Sequence, residues 1–310
     1  MRKNFHYLAS IILLTGVAFA QAPSVGTGSG ATAGTVPAAA TATSTAPVPA
    51  KLAAPLRVAV DPHAAPLIFK TGDKYSGLEA DFARGLGEAL GRPVVFVEGT
   101  PANLINLLLN DKADIVMSGM AINRMRQVRA AFCDAYLRIG EVAVCRLADI
   151  GVYKNNGNLV NLKTEVGVVA GSSGDVLVGE QFSFASRKSY VSNAAAMEAL
   201  LDKKVDIVVT GYPEAIWENS ENEAALGVVP TLLNQEDLAW AVRKDDDGLR
   251  AAANAYLEKQ HAGGTLATMV RKWVPDATSD AIAPRPAAPA AAPAPAAGSA
   301  SVPKATPKKN

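Results

Sequence analysis

Between Leu56 and Pro275 short apolar runs alternate with stretches whose apolar residues recur at helical spacing. Leu56-Arg57-Val58-Ala59-Val60 is a β-branched run closed by Asp61-Pro62, which predicts a strand and a turn. Leu78 to Leu90 has the helical period and stops at Gly91-Arg92-Pro93, with Ser76 and Glu79 spaced like a capping box at its start. Val94-Val95-Phe96-Val97 predicts a second strand, Asn103 to Asn110 a helix, and Asp114-Ile115-Val116-Met117 a third strand. The order then repeats. Glu165 to Val169 reads as a strand, Gly174 onward as a helix, Val205 to Val209 as a strand and Tyr212 to Trp217 as a helix. Alternation of this kind predicts an α/β chain of two lobes, each a mainly parallel sheet covered by helices. Ligands of open α/β sheets bind beyond the carboxyl ends of the strands, so the chemistry belongs in the cleft between the lobes.

Outside this middle the pattern disappears. Residues 1–20 read as a secretory signal peptide. Arg2 and Lys3 precede the apolar run Ile11 to Ala20, and Ala18-Phe19-Ala20 offers small residues before a cut at Gln21. The apolar run is too short to span a bilayer, and no Cys follows it for lipid attachment. Residues 21–54 are mostly Ala, Gly, Ser, Thr and Pro with one charge at Lys51, a composition that predicts a disordered leader. Residues 277–310 are richer in Pro and end in Lys304, Lys308 and Lys309; they predict a disordered, semi-extended basic tail. That tail is either a solubilising spacer or a contact for an anionic surface.

Charge sharpens the picture. The chain carries 30 Lys and Arg against 29 Asp and Glu, yet the stretch from Pro55 to Asp276 holds 23 against 28, a net of −5. A mildly acidic globule is not a phosphate-neutralising surface, so nucleic acid is not an expected partner. Two Cys and three His, none at CxxC or HxxxH spacing, give no sign of a metal or cofactor. Taken alone, Ala170-Gly171-Ser172-Ser173-Gly174-Asp175 is either an ordinary Ser N-cap or an anion site at a helix start.

Four stretches together resemble a known family. Leu56 to Phe69 (LRVAVDPHAAPLIF), Gly77 to Leu86 (GLEADFARGL), Asp114 to Tyr136 (DIVMSGMAINRMRQVRAAFCDAY) and Trp240 to Trp273 (WAVRKDDDGLRAAANAYLEKQHAGGTLATMVRKW) are similar, in order and spacing, to the family 3 periplasmic solute-binding proteins of amino-acid ABC importers. The resemblance implies a type II periplasmic-binding-protein fold over 55–276, with lobe one about 55–145 plus 243–276 and lobe two about 147–241. It places a hinge of two crossing strands near Cys145-Arg146 and Ala241-Arg243, with closure around the ligand as the working motion.

The same resemblance assigns site residues. Arg126, chosen over Arg124 and Arg129 by alignment through Phe132 and Asp134, would hold a ligand carboxylate; a planar guanidinium matches that fork. Ser118 and Met120 would offer backbone groups, Asn123 stands where the family has Thr, and Ser172 and Ser173 become ligand contacts. Gly211 replaces the Asp that holds an α-ammonium in the family, leaving Glu214 or Glu79 to substitute or implying a ligand without that group. Leu67 occupies the place of a stacking aromatic, with Phe69 or Tyr136 as contributors, and His63 stands at the cleft mouth. Cys133 and Cys145 are a possible disulfide pair in an oxidising compartment. The expected protein is a non-enzymatic periplasmic receptor, a monomer by family default, that passes a small carboxylate-bearing solute to ABC-transporter membrane subunits. The alternatives are an interaction or sensing protein on the same fold, and an enzyme like the cyclohexadienyl dehydratases.

Overall fold

The computed structural model describes residues 54–154, 159–282 and 285–287; the signal-peptide reading, nearly all of the leader and the end of the tail lie outside them. The chain starts with β1 (Leu56–Val60), then a small antiparallel sheet of β2 (His63–Ala64), β3 (Ile68–Thr71) and β4 (Lys74–Ser76). α1 (Leu78–Ala89), β5 (Val94–Glu98), α2 (Leu104–Leu109), β6 (Ile115–Val116), α3 (Arg124–Gln127) and β7 (Ala131–Phe132) follow. α1 buries Leu78, Phe82 and Leu86, one residue per turn on a single stripe. The Ser76–Glu79 capping box does not form. Gly77 is the N-cap, at φ 115°, where Leu67 and Pro66 backbone atoms leave no room for a Cβ.

After β8 (Leu137–Ile139) the chain enters the second lobe through β9 (Glu141–Arg146), α4 (Ile150–Lys154), β10 (Glu165–Val169), α5 (Ser173–Gln181), β11 (Ser186–Tyr190), α6 (Asn193–Leu201), β12 (Ile207–Gly211), α7 (Tyr212–Glu221) and β13 (Leu226–Val228). It returns through β14 (Glu236–Leu238) to β15 (Ala241–Val242), α8 (Asp247–Ala262), α9 (Thr265–Trp273) and α10 (Ser279–Ile282).

The two five-stranded sheets run β5-β1-β6-β15-β7 and β11-β10-β12-β9-β13. In each, four strands run one way and one opposes them, β15 in the first sheet and β9 in the second, because these are the strands by which the chain re-enters or enters a lobe from the other side. Apolar clusters fill both lobes; the first centres on Phe82, Tyr136 and Trp240, packed edge-to-face and tilted at 5.3–5.9 Å.

Strand pairing moves the crossing from its expected position. β9 pairs along its whole length in the second sheet and β15 lies inside the first, so neither Cys145-Arg146 nor Ala241-Arg243 crosses between lobes. The crossing strands are β8 and β14, paired Leu137 to Leu238 and Ile139 to Glu236. Cys133 and Cys145 are both free thiols, one buried in each lobe, and no disulfide joins them. Burial pushes their thiols up to about 12 and about 11, which makes them unreactive in the folded chain.

The chain after Asp276 is also more ordered than its composition predicts. α10 packs on β8 and α9, and Ile282 is buried in the first lobe's core. Arg285 exchanges two backbone hydrogen bonds with Ala135. One buried isoleucine and a strand bridge hold this segment down where a Pro/Ala average predicts none.

Candidate functional site

The carboxyl ends of the strands converge on a partly open cavity between the lobes. Asp61 follows β1 and is almost fully buried. Its N–H donates to Ser118 Oγ at 2.9 Å, and its carboxylate accepts from the His63 N–H at 3.2 Å and lies 3.0 Å from His63 Nδ1. Ser118, Gly119 and Met120, after β6, line the floor.

Beneath the floor lies Glu79, out of the cavity. Its carboxylate accepts from the Gly119 N–H at 2.6 Å, the Tyr136 hydroxyl at 2.6 Å and Trp240 Nε1 at 2.9 Å. Burial raises it to about 6 against those three donors. Glu79 and Tyr136 are therefore a core network that supports the floor, not ligand contacts. Leu67 is core as well, its side chain filling the space that Gly119 leaves. Phe69 stacks on Trp217 of the other lobe at 5.4 Å and on Trp273 at 5.8 Å, outside the cavity lining.

Of the three arginines, Arg126 enters the cavity. Arg124 lines a neighbouring groove, and Arg129 bonds Asn106 Oδ1. Asn123 does not reach the cavity; its Oδ1 caps α3 by accepting the Arg126 N–H at 2.9 Å. The Arg126 guanidinium donates to the Ala121 carbonyl at 2.8 Å and, across the cleft, to the Gly171 carbonyl at 3.2 Å. Among the described residues no carboxylate comes within 4 Å of it, although Glu236 and Glu141 act on it through space. Burial lowers its affinity for the proton.

The second lobe supplies the facing wall. Ser172 Oγ accepts the Asp175 N–H at 3.1 Å and caps α5, while Ser172 and Ser173 both line the cavity. Thr210 donates to Asn193 Oδ1 at 2.8 Å, and both are buried there. Gly211 ends β12 without a side chain. The Glu214 carboxylate, from the first turn of α7, occupies the space into which a side chain at Gly211 would project. Burial, reinforced by Glu236 and Asp61, pushes Glu214 up to about 7.

Two further acids were not legible in sequence. Glu141 opens β9 and is 5% exposed; Glu236 opens β14. Asn234 links them, accepting the Glu141 N–H at 2.8 Å and donating to Glu236 Oε1 at 2.8 Å. Burial raises Glu141 well above the carboxylate range, with Glu236 and Glu214 adding to it and Arg126 opposing. An acid before an apolar strand was the only local signal for Glu141. Asp61, Asn193 and Thr210 were likewise unassigned, though Asp61 stood in plain view beside Pro62.

Comparison with known proteins gives the same architecture. The sequence profile of the bacterial extracellular solute-binding proteins, family 3, matches residues 56–276. A cyclohexadienyl dehydratase of Pseudomonas aeruginosa is 24% identical over 71% of this chain and 82% of its own. A histidine-binding periplasmic protein of Salmonella typhimurium is 25% identical over 72% of this chain and 89% of its own. Among solved structures, an ancestral amino acid-binding protein described as a precursor of cyclohexadienyl dehydratase superposes with a TM-score of 0.65. It is 29% identical and covers 70% of this chain and 94% of its own.

Proposed function

From a chain that belongs to family 3 of the bacterial extracellular solute-binding proteins, we propose a receptor that captures an amino acid or close derivative between its lobes. The observation that carries this reading is Arg126, a partly buried guanidinium held by two backbone carbonyls with no carboxylate within 4 Å among the described residues. A buried cation of this kind is completed by an anion, and a ligand carboxylate supplies two matched acceptors. Glu214 stands where the missing side chain of Gly211 would project and takes the α-ammonium. Ser118, Met120, Ser172 and Ser173 complete the polar lining. Export through residues 1–20 places the mature chain in the periplasm, where ABC-transporter membrane subunits receive the solute from a monomeric receptor. Amino acid binding by the histidine-binding relative and by the ancestral structure supports this ligand class.

The test is a thermal-shift panel of amino acids, keto acids and dicarboxylic acids on the mature protein, wild type beside Arg126→Ala. At 100 times its Kd a ligand adds about 2.7 kcal/mol of stability. A shift lost in the variant supports the reading; a panel without a shift overturns it.

One observation favours a second reading. Glu214 is an enclosed carboxyl raised to about 7, a proton donor poised for near-neutral pH beside a carboxylate-binding arginine. Elimination of water from a cyclohexadienyl acid is the corresponding reaction. Glu214 would protonate the departing hydroxyl, which leaves as water while the ring's carboxylate leaves as carbon dioxide and its C–C electron pair completes the aromatic ring; turnover abolished by Glu214→Gln is its signature.

A further inference from the structure

The cavity holds more carboxyl groups than an amino acid needs. A zwitterion uses Arg126 for its carboxylate and Glu214 for its ammonium, and Asp61 already has His63 as partner. Glu141 and Glu236 are left. Among the described residues neither has a cation within 4 Å. Glu141 is 5% exposed, and its Oε2 has no hydrogen-bond partner.

A buried, unpartnered carboxylate oxygen is costly, so it marks a position that something else completes. Helix capping is not that role. Glu141 Oε2 lies against Gly174 in the first turn of α5, but Ser172 already takes the Asp175 N–H and Oε2 receives no hydrogen bond. Nor is a metal ion. Among the described residues no three His, Cys, Asp or Glu side chains converge as a metal site. Asn234 ties the two acids together, one through its backbone N–H and one through Oε1, which fixes this wall beside the crossing strands.

We infer that Glu141 and Glu236 form a second cation subsite, so that the captured solute is an α-amino acid whose side chain ends in an amine or guanidinium. This rests on the receptor reading above and names its ligand class. The solute then places one carboxylate on Arg126, one ammonium on Glu214 and a second cation between β9 and β14. It joins both lobes to the strands that connect them.

The experiment is isothermal titration of the mature protein with lysine, with norleucine, which has the same carbon chain without the terminal ammonium, and with glutamate. Lysine is expected to bind at least tenfold more tightly than norleucine, and glutamate not measurably. In Glu236→Gln and in Glu141→Gln the lysine-to-norleucine ratio falls toward one. Both amides keep the shape of the acid, and the melting temperature of each unliganded variant reports that it folds. Equal affinity for lysine and norleucine in the wild type overturns the subsite and leaves the receptor standing. So does a lysine preference that survives both substitutions. Binding of none of the three, with no other amino acid bound, overturns the receptor reading and this inference with it.

Discussion

Arg126 keeps its charge in the cleft on two carbonyls, Ala121 and Gly171, one from each lobe. Removing it deletes the partner of the ligand carboxylate, and Arg126→Ala should weaken binding by about 2–5 kcal/mol in titration calorimetry. The unliganded variant should melt no lower than wild type, because a desolvated cation without an ion pair is itself a cost. Glu214 sets a pH dependence. Its carboxyl is raised from 4.5 to about 7, so the folded state holds its proton longer than the unfolded chain does. Stability therefore falls as pH rises from about 4.5 to about 7 and then levels; on the order of 3 kcal/mol rides on this group. Thermal melts of ligand-free protein should show that slope, and Glu214→Gln should make it shallower above pH 6, where Glu79 at about 6 has largely finished its own contribution and the remaining slope belongs to Glu141, raised by its burial. Arg126, Ser118, Met120, Ser172, Ser173, Gly211 and Glu214 were readable in sequence and line the cavity because they sit at strand ends or first helical turns. Glu79, Leu67, Phe69 and Asn123 were not separable from them. One residue of rotation on a helix or loop exchanges cavity for core, and no linear pattern records that rotation.

Elements were most legible where periodicity was long. α1, β1, β5 and β10 fall within a residue or two of their predicted bounds. α5 starts at Ser173, one residue before the Gly174 of the sequence reading, with Ser172 as its N-cap. Ser172→Ala should destabilise the protein by about 1 kcal/mol in denaturant titration, since it leaves the Asp175 N–H without its acceptor. The crossing strands were missed because Leu137-Arg138-Ile139 and Glu236-Asp237-Leu238 are three residues each and half polar, too short to carry a period. α10 was missed because one apolar residue, Ile282, decides its fate amid Pro and Ala. A chain ended at Asp276 should lose about 1.5–3 kcal/mol from that side chain alone, read from the shift of the urea midpoint.

The two lobes touch outside the ligand cavity as well as inside it. Phe69 meets Trp217 across the cleft, and Tyr212 donates to Asp276 at 3.4 Å. Ligand-driven closure should change the tryptophan emission, and Trp217→Phe should remove most of that change while Trp240, fully buried in its core, stays silent. Each lobe also carries one buried thiol. Reducing agent should leave the melting temperature unchanged, and neither Cys133 nor Cys145 should react with a thiol label until the protein unfolds. The strand order has a further consequence for how the molecule comes into being. β15, residues 241–242, sits between β6 and β7, so the first lobe's sheet has a gap in its middle until nearly four-fifths of the chain has been made. The second lobe's sheet draws on one unbroken stretch, 141–228, and its last strand precedes β15 by thirteen residues. Made from its N-terminus, the chain thus closes its second sheet shortly before its first, whose β6 and β7 edges stay open until β15 arrives.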